Sequence, residues 1–158
     1  MNRLHNGQLF PSLEITVVGG GTIQIPQSLR GSYGVVLIYR GAWCPYCQAQ
    51  LGGFQRASEK LAEAGIKVVA LSVDDEATTV GTIEKYKLRF PVGHSANADE
   101  IAALTGAYTN EAPRYLQSTG FVLDPEWHVL NAVFSSGPIG RLVAEDVIGM
   151  VTYLKSRV

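Results

Sequence analysis

The sequence predicts an α/β fold: a mixed β-sheet flanked by helices, entered through an N-terminal β-hairpin. Three observations predict it. The run Gly34-Val35-Val36-Leu37-Ile38-Tyr39 is apolar without a break, the mark of a strand buried on both faces. A second such run, Lys67 to Val73, follows a stretch with helical periodicity, so a crossover joins the two strands. The 158 residues carry no internal repeat, low-complexity tract or linker, and suffice for one hydrophobic core. A single domain over residues 1–158 is expected, with 1–33 as an N-terminal extension within it.

Taken in order, Leu13-Glu14-Ile15-Thr16-Val17 alternates apolar and polar residues as a half-buried strand does. Gly19-Gly20-Gly21 turns the chain, and Thr22 to Ile25 returns as its partner. After the buried strand and a short loop, Arg40 to Trp43, a helix is expected from Cys44 to about Ala64. Cys47, Leu51, Phe54, Ser58 and Leu61 form its stripe at steps of three and four. Gly52-Gly53 within it calls for a kink or a close backbone approach, since each glycine costs about 1 kcal/mol against alanine.

Asp74-Asp75-Glu76 opens the next helix, which ends ahead of Phe90-Pro91. Asn97 and Glu100 resemble a capping pair, and Gly106 fits a helix stop. Phe121–Leu123 and Val129–Val133 are strands paired antiparallel across Asp124-Pro125-Glu126-Trp127. The last helix shows Val147, Val151 and Leu154 on one face. Glu145 and Asp146 at its start, with Lys155 and Arg157 at its end, complement the helix dipole.

Composition excludes several functions. Thirteen basic and fourteen acidic side chains give a net charge of −1, with no polybasic window, so a nucleic-acid or anionic-membrane surface has little support. The longest apolar run is far too short to cross a bilayer, and the N-terminus lacks the apolar stretch of a signal peptide. A cytoplasmic location is the expectation.

The two cysteines, three residues apart, direct the functional reading. A cysteine reacts as its thiolate. Cys44 at the first turn of a helix would meet unpaired N–H groups and the positive end of the dipole, both of which favour the anion. Pro45 suits the first helical position, where its missing N–H loses nothing. Cys47, one turn on, is placed to attack a bond formed on Cys44. Zinc is the competing reading, but a site needs about four ligands. His5, His94 and His128 are scattered, and no second cysteine pair exists. Neither a metal nor a cofactor is expected. The redox reading requires the two sulfurs to face one another and to be reachable from solvent.

The stretch VVLIYRGAWCPYCQAQL, Val35 to Leu51, resembles the active-site region of the alkyl hydroperoxide reductase/thiol-specific antioxidant (redoxin) group. Within that group it is similar to peroxiredoxin-like proteins with a Cys-x-x-Cys pair. The likeness continues through Lys67–Asp74, Phe90-Pro91-Val92 and Phe121–Pro125. The resemblance implies a thioredoxin fold and an antioxidant enzyme. Cys44 would attack a hydroperoxide oxygen and become a sulfenic acid, Cys47 would resolve it, and an external thiol would restore the dithiol. Proteins of this kind often form homodimers, though no strip of the sequence announces an interface. The alternative with the same residues is thiol–disulfide exchange on a protein or small-molecule disulfide. A non-catalytic interaction module is a third reading.

The family pattern is not fully kept. Leu37 and Gly41 stand where it has proline and threonine, and Ser118 where it has arginine. Arg40 and Arg114 are the candidates to replace that arginine, with a solvated surface charge the leading reading of each. Trp43-Cys44 matches the start of a thioredoxin motif, and Pro45-Tyr46 is the dipeptide of glutaredoxins. Thioredoxins place a cis-proline opposite the cysteines; Ser118-Thr119 occupies that neighbourhood, and Pro113 lies too far upstream. Trp43 either shields the thiolate and lines a groove or packs on the domain. Trp127 reads as structural or as an interface residue, and His94 as a hydrogen-bonded structural histidine. Ser135 to Arg141 reads foremost as a connecting loop, and as a border of the site only secondarily.

Overall fold

Seven strands form one sheet in the order β2-β1-β5-β4-β3-β8-β9 in the computed structural model, which describes residues 3–157. The strands are β1 (Leu13–Val17), β2 (Thr22–Ile25), β3 (Tyr33–Ile38), β4 (Ile66–Leu71), β5 (Val92–His94), β8 (Thr119–Leu123) and β9 (Val129–Phe134). A separate two-stranded ladder joins β6 (Thr109–Asn110) and β7 (Tyr115–Leu116). The helices are α1 (Pro45–Arg56), α2 (Ser58–Glu63), α3 (Glu76–Tyr86), α4 (Ala98–Thr105) and α5 (Ala144–Ser156).

The central strand β3 runs parallel to β4 and antiparallel to β8, so both its edges are paired. Its apolar run is explained by two cores. Val35, Leu37 and Tyr39 enter the one beneath α1, α2 and α5. Val36 and Ile38 enter the opposite one, with Ile101, Ala102, Phe121 and residues of the N-terminal hairpin. Each such fully buried aliphatic side chain is worth roughly 1.5–3 kcal/mol. A parallel core with helices on both faces and an antiparallel β8–β9 edge is a thioredoxin-like sheet, as the resemblance implies.

The hairpin β1–β2 forms as expected, and the extension, described from Arg3 onward, joins the same sheet. Its link is β5, a strand the sequence analysis did not anticipate. β5 pairs parallel with β4 and antiparallel with β1, through Thr16 opposite His94 and Val17 opposite Gly93. Three residues after Pro91 are too short a run to show periodicity, and the neighbouring ladders alone make them a strand.

The helix expected over Cys44 to Ala64 is broken. It divides at Ala57, whose φ of −89° and ψ of 9° end α1 and start α2. The stripe survives the break, because Cys47, Leu51, Phe54 and Leu61 are all buried in one core. Gly52 is a close approach rather than the kink: a Cβ there would lie 3.5 Å from the Tyr86 ring of α3 and 3.2 Å from Arg56 Nη1. At the other helix ends the expected signals operate. Asp75 caps α3 through Thr78 N–H, Asn97 caps α4 through Glu100 N–H, and Gly106 ends α4 at a φ of 86°.

Candidate active site

The carboxyl end of β3 hands the chain to α1 through Arg40-Gly41-Ala42-Trp43, and Cys44 is the N-cap of that helix. A cap residue keeps an extended backbone while its side chain accepts from the first turn. Here Cys44 Sγ takes that role, accepting from the backbone N–H of Cys47 at 3.2 Å. Pro45 is at the first helical position. The two cysteines approach to 2.6 Å, face to face at the helix start.

Arg40 overturns the surface reading given to it. Its side chain is half-buried and tied at three points: Nε donates to Gln117 Oε1 at 2.9 Å, Nη2 to Tyr115 Oη at 3.1 Å, and Nη1 to Cys44 Sγ at 3.7 Å. The Trp43 ring lies 4.7 Å from the guanidinium and meets Tyr115 edge to face at 4.9 Å. Trp43 is thus both an exposed aromatic, at 55% accessibility, and a wall that holds Arg40 over the sulfur. Arg114 keeps its surface reading, paired with Asp99 in solvent.

The connecting loop is likewise corrected, because its last residue reaches the site. Arg141 Nη2 donates to Cys47 Sγ at 3.3 Å, Nη1 to Gln50 Oε1 at 2.7 Å, and Nε to the Pro138 carbonyl at 3.0 Å. Gln50 in turn donates to the Leu142 carbonyl at 2.9 Å. The backbone N–H of Arg40 gives Cys47 Sγ a second donor, also at 3.3 Å. No sequence signal marked Gln50, Gln117, Tyr115 or Arg141 as site residues. The Ser135–Arg141 stretch is a site border in the sequence only as a secondary reading.

These contacts separate the two thiols. Burial opposes ionisation of Cys44, but hydrogen bonds from the Cys47 thiol and backbone and from Arg40 outweigh it, and its pKa falls below the ordinary thiol value. Cys47 moves up, because burial and the neighbouring Cys44 sulfur outweigh the pull of Arg141. Cys44 is therefore the more acidic of the two sulfurs, the one that ionises first.

The expectation of solvent-reachable sulfurs meets a difference. Both cysteines are free and have no accessible surface. Arg40 lies against Cys44 and is itself backed by Trp43 and Tyr115. Around the site, Ala42 N–H donates to Asp74 Oδ2 at 2.8 Å, Gln48 donates to the Ala42 carbonyl, and Tyr86 Oη donates to Gln48 at 2.6 Å. Burial raises Asp74, and raises the enclosed Tyr39 hydroxyl to about 12. The departure at Gly41 also finds its reason. A Cβ there would overlap the Trp43 indole nitrogen and lie 2.9 Å from its Cδ1, so threonine and this tryptophan position exclude each other.

His94 is a structural residue of β5, its Nδ1 bonded to Ser95 Oγ at 2.9 Å. Trp127 occupies the β8–β9 turn at a φ of 73°. Among the described residues no cluster of three candidate ligands is arranged to hold a metal, and no helix is long and apolar enough to cross a membrane.

A thioredoxin-like sheet that delivers a Cys-x-x-Cys pair to a helix N-terminus, with one thiol depressed, defines a thiol-based oxidoreductase. The family is shown by comparison: residues 6–132 match the AhpC/TSA family, and the chain belongs to it. It is 26% identical over 149 residues to a thiol-disulfide oxidoreductase ResA of Bacillus cereus, covering 93% of this chain and 77% of that one. A peroxiredoxin of Treponema denticola is also 26% identical over 149 residues, covering 89% of this chain and 69% of its own length. Among solved structures, peroxidoxin BcpB of Mycobacterium tuberculosis superposes with a TM-score of 0.82 at 18% identity, over 96% of this chain and 99% of that one. Mycobacterium bovis AhpC gives 0.82 at 20% identity, over 100% and 96%.

Proposed function

We propose that the chain reduces hydroperoxides through a Cys44/Cys47 dithiol–disulfide cycle. The observation that carries this reading is the setting of Cys44: an N-cap sulfur with a depressed pKa, faced by the Arg40 guanidinium. Ser118 has left vacant the arginine of the family pattern, and Arg40 supplies the charge from the loop that follows β3. The Cys44 thiolate attacks the distal peroxide oxygen, the O–O bond breaks, and the alkoxide leaves as an alcohol after taking a proton. Cys47 then displaces the hydroxyl of the sulfenic acid as water, and an external thiol returns the disulfide to the dithiol. Arg40 stabilises the thiolate, Trp43 holds Arg40, and Pro45 starts the helix without an unpaired N–H.

The second reading is exchange with a protein or small-molecule disulfide. It is favoured by Trp43 and Tyr46, exposed at 55% and 51%, which flank the buried pair as docking aromatics would. A reducing cytoplasm, where thiol systems maintain dithiols, suits either cycle. One continuous domain and a homodimer of the family kind belong to the same proposal.

The two readings part in a rapid-mixing experiment on the reduced protein, followed by tryptophan fluorescence. Hydrogen peroxide is expected to oxidise it far faster than it oxidises free cysteine. Cys44→Ser is expected to abolish the reaction, and Cys47→Ser to stop it at a sulfenic acid that a dimedone probe captures. Oxidation by peroxide no faster than that of free cysteine, together with a fast reaction with a disulfide, selects the second reading.

A further inference from the structure

Arg141 is a half-buried cation with no acidic partner. Among the described residues no carboxylate lies within the 4.0 Å of an ion pair to it, and Arg114 is the arginine that such pairs engage. A guanidinium withdrawn from water is costly unless an anion or strong acceptors meet it. Two of the acceptors are neutral, Gln50 Oε1 and the Pro138 carbonyl, and they fix its plane. The third is Cys47 Sγ at 3.3 Å. The same sulfur also takes the Arg40 backbone N–H at 3.3 Å. Two donors aimed at one sulfur stabilise it as an anion and do little for a protonated thiol.

We propose that Arg141 is a further catalytic residue, one that holds Cys47 Sγ as a thiolate while it attacks, or departs from, the sulfur of Cys44. This rests on the Cys44/Cys47 cycle but not on which oxidant starts it. In the resting dithiol Cys44 is the more acidic sulfur, and any negative charge of the pair sits there. Once Cys44 is bonded to oxygen or to another sulfur, that charge is gone and Cys47 no longer faces an anion. Its proton then leaves, and the thiolate is held by Arg141 and the Arg40 N–H. Cys47 Sγ attacks Cys44 Sγ, the new S–S bond forms, and the group on Cys44 departs with the bonding pair. From a sulfenic acid that group is hydroxide, which takes the proton Cys47 gave up and leaves as water. In the reverse direction, a reducing thiolate attacks Cys44 and Cys47 is the leaving thiolate, stabilised by the same two donors.

The test uses an aromatic disulfide, 5,5′-dithiobis(2-nitrobenzoate), mixed rapidly with reduced protein. Cys44 releases a first coloured thiolate and becomes a mixed disulfide; attack by Cys47 releases a second. The two phases read the two sulfurs separately and need no peroxide, so a protein that proves inert to peroxide sinks the peroxidase reading while leaving this test intact. In Arg141→Gln the second phase is expected to slow roughly ten- to a hundredfold, the scale of one charge-assisted hydrogen bond. Its pH midpoint is expected to move up, with the first phase slowed less than the second, because Arg141 acts on Cys44 only through its charge and on Cys47 through a hydrogen bond as well. Arg141→Lys is expected to recover much of the rate. Gln50→Met, which removes an anchor but keeps the guanidinium, is expected to lie between. A second phase with wild-type rate and pH midpoint in Arg141→Gln overturns the proposal. So does equal slowing of both phases in Arg141→Gln and Gln50→Met alike, since that marks Arg141 as only a loop tether.

Discussion

At Cys44, burial and hydrogen bonding pull the thiol in opposite directions, and the donors prevail. Arg40 is the donor that can be removed without altering either cysteine. In Arg40→Met, ultraviolet titration of the thiolate should show the Cys44 pKa moving up toward the ordinary value, since one of the contacts that favours the anion is lost. A pKa unchanged by that substitution would separate Arg40 from the chemistry. The stability consequence has a definite sign. A thiol whose folded pKa is depressed adds stability at pH above its unfolded value, and the addition is lost as pH falls through the folded one. The reduced wild-type protein should therefore gain thermal stability relative to Arg40→Met as pH rises across that window.

The junction between β3 and α1 carries a structural duty along with the chemistry. Cys44 caps α1 through its sulfur, a weak acceptor, and serine is among the strongest caps. Cys44→Ser should therefore keep or raise the urea midpoint while removing activity. Cys44→Ala should lose about 1 kcal/mol as well as activity. If the two variants unfold alike, the cap contributes nothing and the sulfur is there for chemistry alone. The break at Ala57 shows what a helical stripe cannot reveal. Cys47, Leu51, Phe54 and Leu61 stay in phase across it, so periodicity reads one helix where the backbone makes two. Arg89 meets this region from outside, with its N–H on Gln55 Oε1 and its Nη2 on Ser58 Oγ.

Across the whole molecule, the N-terminal hairpin is bound to the parallel core through three residues of β5. Gly93 permits this, because a Cβ there would come within 2.7 Å of Ile15 Cδ1 and 3.2 Å of Ile15 Cβ. Gly93→Val should cost about 1–3 kcal/mol by overpacking the β1–β5 seam. Because the strands share one ladder, calorimetry of the wild type should give a single cooperative transition. A separate early transition for the hairpin would divide the chain into two units.

The amino-acid sequence alone announced the buried strands, the hairpins, most helix ends and the Cys-x-x-Cys pair, because each depends on residues within a few positions of one another. It left Arg40 as a surface charge and Arg141 as the end of a loop. Their partners are remote: Arg40 meets Gln117 across 77 positions, and Arg141 meets Cys47 across 94. Only the sheet order, which lays β3 beside β8, together with the packing of α5 over the same core as α1, brings those side chains to the two sulfurs. Local chemistry thus specified the reacting atoms, and the tertiary fold decided which cations surround them, since a guanidinium's neighbours depend on packing that no short stretch of chain contains.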